Sequence, residues 1–140
     1  MSAVYRVKSK IPNPKSEIIV VPRFVILIHD YPVVHWDFML EKEAVLRTWR
    51  LEREPLEPRP IVAEALPDHR LAYLDYEGQV SGNRGSVRRF DRGEYALLEE
   101  SSERVVVKLM GAALVGTAVL EQIANSEGWW FAFTPLESRL

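Results

Sequence analysis

The chain has 140 residues and no cysteine, and its 18 lysines and arginines against 20 aspartates and glutamates give a formal net charge of -2. This length supports one domain with a core of its own, and the missing thiols exclude disulfides and thiolate metal sites. The charge argues against indiscriminate binding of duplex DNA but permits a local basic groove. Since the longest apolar runs are only strand length and no signal-type core opens the chain, we expect a cytoplasmic protein without a membrane span.

Residues 1–22 are predicted to be an N-terminal extension, and residues 23–140 the folded domain. The extension holds a basic stretch at residues 5–10, two prolines and an apolar run at residues 18–21. Because prolines oppose regular structure, we expect a solvated arm in which only the apolar run suits an edge strand.

From residue 23 onward, short segments rich in β-branched and aromatic residues alternate with glycine, proline or charged breaks, a pattern typical of strands. Residues 52–60 carry three prolines and are predicted to form a loop. A helix competes only at residues 112–123, where Gly116 and its β-branched neighbours favour a strand. The spacing predicts a mainly all-β fold, a small closed or nearly closed β-barrel with little helix. The predicted strands are residues 24–28, 34–40, 45–51, 61–66, 72–76, 86–90, 94–98, 104–109, 113–120 and 129–133.

Two of the three histidines, His29 and His35, lie with Asp37 in one short stretch. Alternate side chains of a strand share a face, so His35 and Asp37 point the same way, and the bend at Pro32 lets His29 turn back over that face. Two imidazoles and one carboxylate suit a borderline divalent ion and leave positions open, so these three residues are the predicted metal ligands. Asp30 is expected to be a turn residue or a partner that orients an imidazole.

Four motifs carry a resemblance to a known family. They are His-Asp-x4-His-x-Asp-Phe-x-Leu-Glu at residues 29–41, Val-Leu-Arg-Thr-Trp at 45–49, Asp-His-x-Leu-x-Tyr-x-Asp-Tyr-Glu-Gly at 68–78 and Phe-Asp-Arg-Gly-Glu-Tyr at 90–95. In this order, over most of the chain, they resemble the 3'-phosphoesterase domain of bacterial DNA ligase D and its stand-alone relatives.

The resemblance implies a β-barrel enzyme of DNA repair by non-homologous end joining. Such an enzyme removes a 3'-terminal ribonucleoside and then the remaining 3'-phosphate, which leaves a 3'-hydroxyl. The family usually uses manganese, with zinc or another divalent ion as the alternative. The implied partners are DNA 3' ends and a separate end-joining ligase or polymerase, and we expect the protein to be a monomer.

The resemblance also implies roles for residues beyond the metal ligands. His69, in the polar break at residues 67–70, would contact the phosphate as a general acid or hydrogen-bond donor, against the simpler role of a turn cap. Tyr73 would hydrogen-bond a phosphate oxygen, although a half-buried barrel tyrosine is nearly as good an explanation.

The chain departs from the family at two places. Met39 occupies the position of a family arginine, and losing such a charge-assisted contact costs on the order of 2 to 4 kcal/mol of transition-state stabilisation. Arg53, near the place of a family lysine, is the predicted third catalytic residue, with Arg50 and Arg59 as further candidates for compensation. The turn after Gly78 is shorter than in the family, so the groove rim is expected to differ.

The sequence also permits other interpretations. One is a metal- and phosphate-binding module that recognises DNA ends without efficient catalysis. A lower-ranked one is an iron(II) oxygenase whose ligands are His35, Asp37 and His69. The basic residues Arg84, Arg88, Arg89 and Arg92 form either a patch that follows a DNA backbone or a solvated face. The tryptophans Trp36, Trp49, Trp129 and Trp130 suit either base stacking or core packing.

Overall fold

The computed structural model describes residues 5–8 and 17–137, and within them it is built from strands, with no α-helix. One short 3₁₀ helix, η1, covers Leu71–Leu74. The strands are β1 (Tyr5–Lys8), β2 (Glu17–Val20), β3 (Arg23–His29), β4 (His35–Lys42), β5 (Val45–Leu51), β6 (Ile61–Arg70), β7 (Gly78–Gln79), β8 (Ser86–Glu100), β9 (Arg104–Gly111), β10 (Val115–Gln122) and β11 (Trp129–Pro135). None of the helical structure in the described ranges has the length and apolar character needed to cross a membrane.

The main sheet closes on itself. Its antiparallel neighbours follow the order β3, β4, β5, β6, β11, β10, β9 and β8, and β8 pairs back onto β3. The prediction of a mainly all-β, closed or nearly closed fold is therefore confirmed. The ring is uneven, because β6 and β11 share only three residue pairs, from Ile61 opposite Phe131 to Ala63 opposite Trp129. We call this pairing the short seam.

The inner face of the ring holds the main core. Alternate residues of β3 and β4, such as Phe24 and Phe38, point inward and are fully buried. The Phe38 ring packs 5.3 Å from that of Phe131, and Trp49 lies edge-on to Trp129 at 5.6 Å between ring centroids. Each such side chain contributes about 1.5 to 3 kcal/mol through burial. Trp49 and Trp129 are thus core residues, whereas Trp130 faces outward.

A second, smaller cluster lies on the outer face of β3 and β4. The chain from residue 71 to residue 87, here called the cover segment, packs over this face. Leu71 and Leu74 of η1 are three residues apart and so fall on one side of the 3₁₀ turn, where both contact the cluster. The buried members of the cluster are Val25, Leu27, Met39, Leu46, Leu74 and Val87.

Three sequence-based boundaries were wrong. Residues 72–76 are not a strand, because their apolar spacing serves the 3₁₀ helix η1 instead. The polar residues at 67–70 do not break the chain, since β6 runs through them to Arg70. The two strands predicted at 86–90 and 94–98 form one long strand, β8.

The reason that β8 continues through Asp91 and Gly93 lies in its neighbours. The buried Asp91 carboxylate accepts the backbone N–H groups of Ala112, Ala113 and Leu114 at 2.8 to 3.0 Å. Gly93 lets the next strand approach so closely that a Cβ there would lie 2.1 Å from the Met110 carbonyl oxygen. Asp91 and Gly93 are residue types that often mark turns, but here they hold β8 against β9 and the turn that follows it.

The N-terminal strands differ from expectation. Residues 5–8 pair as β1 with β2, and these two strands form a sheet of their own instead of β2 edging the main one. That this segment is a solvated arm stays a prediction. The part of the basic stretch at residues 9 and 10 and both prolines lie outside the described residues.

Candidate metal centre and cleft

The hairpin of β3 and β4 brings the predicted metal ligands together on the outer face of the ring. His29 ends β3 directly opposite His35, which begins β4, and Asp37 is opposite Leu27. Since strand side chains alternate, both imidazoles and the carboxylate share one face. One ligand atom from each of His29, His35 and Asp37 lies within 4.8 Å of the others. We call these three residues the triad.

Two residues of the triad, His35 and Asp37, are buried, His29 is half-buried, and the carboxylate is short of hydrogen-bond donors. Asp37 is 3% and His35 4% exposed. Nε2 of His35 lies 3.2 Å from Oδ1 of Asp37, and Nδ1 of His29 lies 3.6 Å from Oδ2. No well-aligned donor reaches the buried Oδ1 atom. Because a buried carboxylate oxygen without a donor is costly, this arrangement favours a cation at its centre.

Backbone carbonyls hold the far side of both imidazoles. Nε2 of His29 lies 2.8 Å from the Arg84 carbonyl oxygen, and Nδ1 of His35 lies 2.8 Å from that of Val33. A carbonyl only accepts hydrogen bonds, so each of these nitrogens carries its proton there and leaves the other nitrogen with a lone pair toward Asp37. This is the orientation that metal-ligating histidines require.

The pKa of His35 reflects the same geometry. Burial lowers this pKa, but the nearby Asp37 carboxylate raises it by more, so the pKa of His35 lies above its usual value. In the metal-free triad, Asp37 therefore favours the protonated form of His35.

Asp30 ties the hairpin to the cover segment. Its carboxylate accepts the N–H of Ser86 at 2.7 Å and the hydroxyl at 3.0 Å, and these hydrogen bonds lower its pKa. Gly85, with φ of +70°, lies so close that a Cβ would be 2.2 Å from Asp30 Oδ1. These contacts match neither role expected for Asp30, since its carboxylate binds Ser86 across the fold and the carbonyls of Val33 and Arg84 contact the imidazoles.

A cleft of about 530 Å³ opens beside the triad between the outer face of the ring and the cover segment. His29, Asp37 and Met39 line one part of it, and His69 and Tyr73 line another. Nδ1 of His69 donates to the Pro67 carbonyl at 2.9 Å, and its ring lies edge-on to Tyr73 at 5.8 Å. The structure thus gathers both predicted phosphate-handling residues around the same cleft as the triad.

The predicted third catalytic residue, Arg53, is placed differently. It lies on the 52–60 loop and is not among the residues that line the cleft. Arg50 pairs with Glu64 at 3.7 Å, and Arg59 lines a separate groove with residues of β10 and β11. The arginines that line the cleft are Arg70 and Arg84. Sequence inspection did not single out Arg70.

Met39 is only 1% exposed and packs in the outer cluster at the edge of the cleft. Where the family has a cation, this chain therefore presents a thioether packed among Val25, Leu27 and Val87.

Much of the proposed basic patch is already neutralised. Arg89 donates its backbone N–H to Glu77 at 2.9 Å and pairs with it at 3.5 Å. Arg92 pairs with Asp75, and the hydrogen bond from Arg23 lowers the pKa of that carboxyl. Asp75 and Glu77 of the 68–78 motif therefore anchor the cover segment to β8, whereas Asp68 of the same motif lines the cleft.

The histidine–carboxylate triad beside a cleft, on an all-β ring, defines a candidate metal site. Comparisons with known proteins identify the family. Residues 28–122 match the family model of the DNA Ligase D 3'-phosphoesterase domain. The chain is 30% identical over 109 residues to the "Multifunctional non-homologous end joining protein LigD" of Pseudomonas aeruginosa, an alignment that covers 74% of this chain and 13% of that protein.

The chain therefore belongs to the DNA ligase D 3'-phosphoesterase domain family. Membership in a phosphoesterase family indicates a hydrolase. The chain corresponds to only 13% of the length of its Pseudomonas aeruginosa relative.

Proposed function

We propose that this protein is a metal-dependent 3'-phosphoesterase that processes DNA ends during repair. It would remove a 3'-terminal ribonucleoside or a 3'-phosphate and leave the hydroxyl that a separate ligase or polymerase needs. The observation that carries the proposal is the triad, with both imidazoles turned toward Asp37 by backbone carbonyls, beside a cleft that His69 and Tyr73 also line. We expect the protein to act as a monomer.

The triad would hold a divalent ion, with manganese the proposed native metal and zinc the alternative. Such an ion, when bound, supplies positive charge that polarises a phosphate. The residues then divide the remaining work. His69 keeps its Nδ1 proton on Pro67, so Nε2 is the atom at which it would hold a proton for the leaving oxygen. Tyr73 would donate its phenol proton to a phosphate oxygen.

The position of Arg53 gives less support to the catalytic role predicted for it. This residue would hold phosphate only if the 52–60 loop moved over the cleft, because it does not line the cleft as the loop is placed.

The grouping of ligands also bears on the oxygenase alternative. The cluster joins His29, rather than His69, to His35 and Asp37. An iron site built from His35, Asp37 and His69 would have to leave His29 out, although its Nδ1 faces Asp37 at 3.6 Å. This geometry favours the phosphoesterase proposal.

The test is a manganese-dependent assay on a primer-template that ends in one ribonucleotide or in a 3'-phosphate. Wild-type protein should yield a 3'-hydroxyl, and His35→Ala should abolish the conversion because it removes a triad ligand and leaves Asp37 uncompensated. Circular dichroism of His35→Ala checks that the fold persists.

One observation favours a second candidate, a DNA-end module that binds metal and phosphate without efficient turnover. The family arginine is replaced by the packed Met39. If wild-type protein converts neither substrate, while metal titration shows a site that His35→Ala loses, the module replaces the enzyme.

A further inference from the structure

Arg70 is a cationic side chain of the cleft that nothing else engages. It ends β6, is exposed and lines the cleft with His69 and Tyr73. Its guanidinium carbon lies 5.9 Å from the centroid of the Tyr73 ring. In the part of the chain that the structure describes, its side chain makes no ion pair and no hydrogen bond.

The other arginine of the cleft is already committed. Nε of Arg84 donates to the Ser81 carbonyl at 2.7 Å, and its Nη2 donates to the Ser81 hydroxyl at 3.1 Å. These bonds fold the side chain back onto its own loop. Binding a ligand through Arg84 would first break two hydrogen bonds, whereas Arg70 has none to break.

The surroundings give Arg70 freedom to reach a ligand. On its other side a smaller cavity of about 220 Å³ opens, and Tyr73, Tyr76 and Ser81 also line it. Arg70 therefore lines two open spaces. The Tyr73 ring beneath it favours a cation by its π-face while leaving the planar N–H fork unpaired.

The charge balance of the cleft calls for such a group. Two neutral imidazoles and one carboxylate around a divalent ion would leave a net charge of about +1, and the opposite charges of Asp68 and Arg84, which also line the cleft, cancel. This charge is smaller in magnitude than that of a phosphate dianion. A guanidinium fork is the side chain best suited to supply the rest, because it binds two phosphate oxygens at once.

We propose that Arg70 is the phosphate-binding guanidinium of this site and that it favours terminal phosphomonoesters. The inference rests on the proposed function and adds a substrate preference to it. A terminal 3'-phosphate is largely dianionic near neutral pH, whereas the diester that links a terminal ribonucleoside carries one charge, so Arg70 attracts the monoester more strongly.

The experiment compares Arg70→Ala, Arg70→Lys and Arg53→Ala on both substrates, with Arg59→Ala as a matched arginine loss in the groove of β10 and β11. Arg70→Ala should lower kcat/KM for the 3'-phosphate by roughly 100-fold, and for the ribonucleoside end by distinctly less. Arg70→Lys should recover part of the loss, since lysine keeps the charge without the fork. Arg59→Ala should match the wild type.

Two outcomes would overturn the inference. One is an Arg70→Ala enzyme that stays within about twofold of wild type on the 3'-phosphate. The other is equal losses on both substrates, which would indicate a structural role. If Arg53→Ala shows the monoester-selective loss while Arg70→Ala does not, the cation is Arg53.

A binding measurement separates this inference from the proposed function. Inorganic phosphate is titrated into manganese-loaded wild type and Arg70→Ala, with manganese affinity measured alongside. We expect phosphate to bind roughly 10-fold more weakly to Arg70→Ala while manganese binds equally. An inactive wild type that still shows this difference would contradict the enzyme proposal and support Arg70. Equal phosphate affinity would contradict Arg70 whatever the activity.

Discussion

At the scale of single residues, the orientation of the triad depends on backbone carbonyls as well as on side chains. Each imidazole gives its far proton to a carbonyl, that of Arg84 or Val33, and so presents its other nitrogen to Asp37. A metal ion held by the triad would therefore compete with a proton for the place between His35 and Asp37. Such competition would make stability depend on pH in opposite directions with and without metal.

The pH dependence follows from the raised pKa of His35. In the metal-free protein the charged His35–Asp37 pair stabilises the fold fully below the unfolded pKa of His35, and this contribution is lost as pH rises through the higher folded pKa. Metal requires neutral imidazole, so metal stabilisation grows over the same range. Without manganese, the contribution of this pair should thus lower the melting temperature as the pH rises from about 5.5 to 8. With manganese, the melting temperature should rise over the same range.

His35→Gln is the control for that measurement. It removes the titrating group, so the difference in slope between metal-free and metal-loaded protein should largely disappear. Parallel slopes for the wild type with and without manganese would contradict a proton and a metal sharing the position.

The same residues show what could be read from the sequence. The two-residue spacing of His35 and Asp37, and the single hairpin that returns to His29, predicted their common face. The carbonyl partners carry no side-chain signature, so they could not be foreseen. The polar residues at 67–70 predict a break in the chain, so the sequence does not foresee that Arg70 ends β6 and lines the cleft.

At the scale of elements, the loop at residues 81–86 holds the hairpin that carries the triad. Gly85 lies against Asp30, and the neighbouring Arg84 carbonyl holds His29. A Cβ at residue 85 would collide with the carboxylate that anchors the loop, and the positive φ adds backbone strain. The loop would have to shift away from the hairpin.

Gly85→Ala should therefore weaken manganese binding by roughly 10-fold, because His29 loses its orienting carbonyl. Gly82→Ala is the matched control, since Gly82 has a φ of +75° but only the Arg84 Nε atom nearby, at 3.4 Å. It should lower stability by about 1 kcal/mol without changing metal affinity. Equal metal affinities in calorimetric titrations of the two variants would show that the loop does not support the site.

Element boundaries were predictable where local pattern and tertiary pairing agree. Strands β3, β4 and β5 followed their apolar and β-branched runs closely. Residues 72–76 and 90–94 failed for opposite reasons. In the first, apolar spacing that suits a strand serves the 3₁₀ helix instead. In the second, Asp91 binds the turn between β9 and β10 and Gly93 allows β9 to approach closely, so neither residue forms a turn of its own.

At the scale of the whole molecule, the ring of strands has one weakly paired position. The short seam joins β6 to β11 through three residue pairs, whereas β10 and β11 share seven. The half of β6 that carries His69 and Arg70 is paired only with β5. Fewer backbone hydrogen bonds on one side make local opening easier there than elsewhere in the ring.

Native-state amide exchange should detect this difference. We expect amides at the short seam and along residues 66–70 to exchange faster than those between β3 and β8, and phosphate with manganese to slow them. Uniform protection around the ring would contradict the seam as its weakest place.

The origin of the triad has a consequence for judging preparations of the protein. The three proposed metal ligands come from nine consecutive residues of one hairpin, so a metal ion that joined them would close only a very short loop at small entropic cost. His69, Tyr73 and Arg70 line the same cleft from β6 and the cover segment. A molecule that had partly unfolded on the β6 side would thus keep the hairpin proposed to bind metal while losing the residues proposed to bind phosphate. Metal content would then overstate the fraction of competent protein, and titration with a phosphate ligand would be the better count.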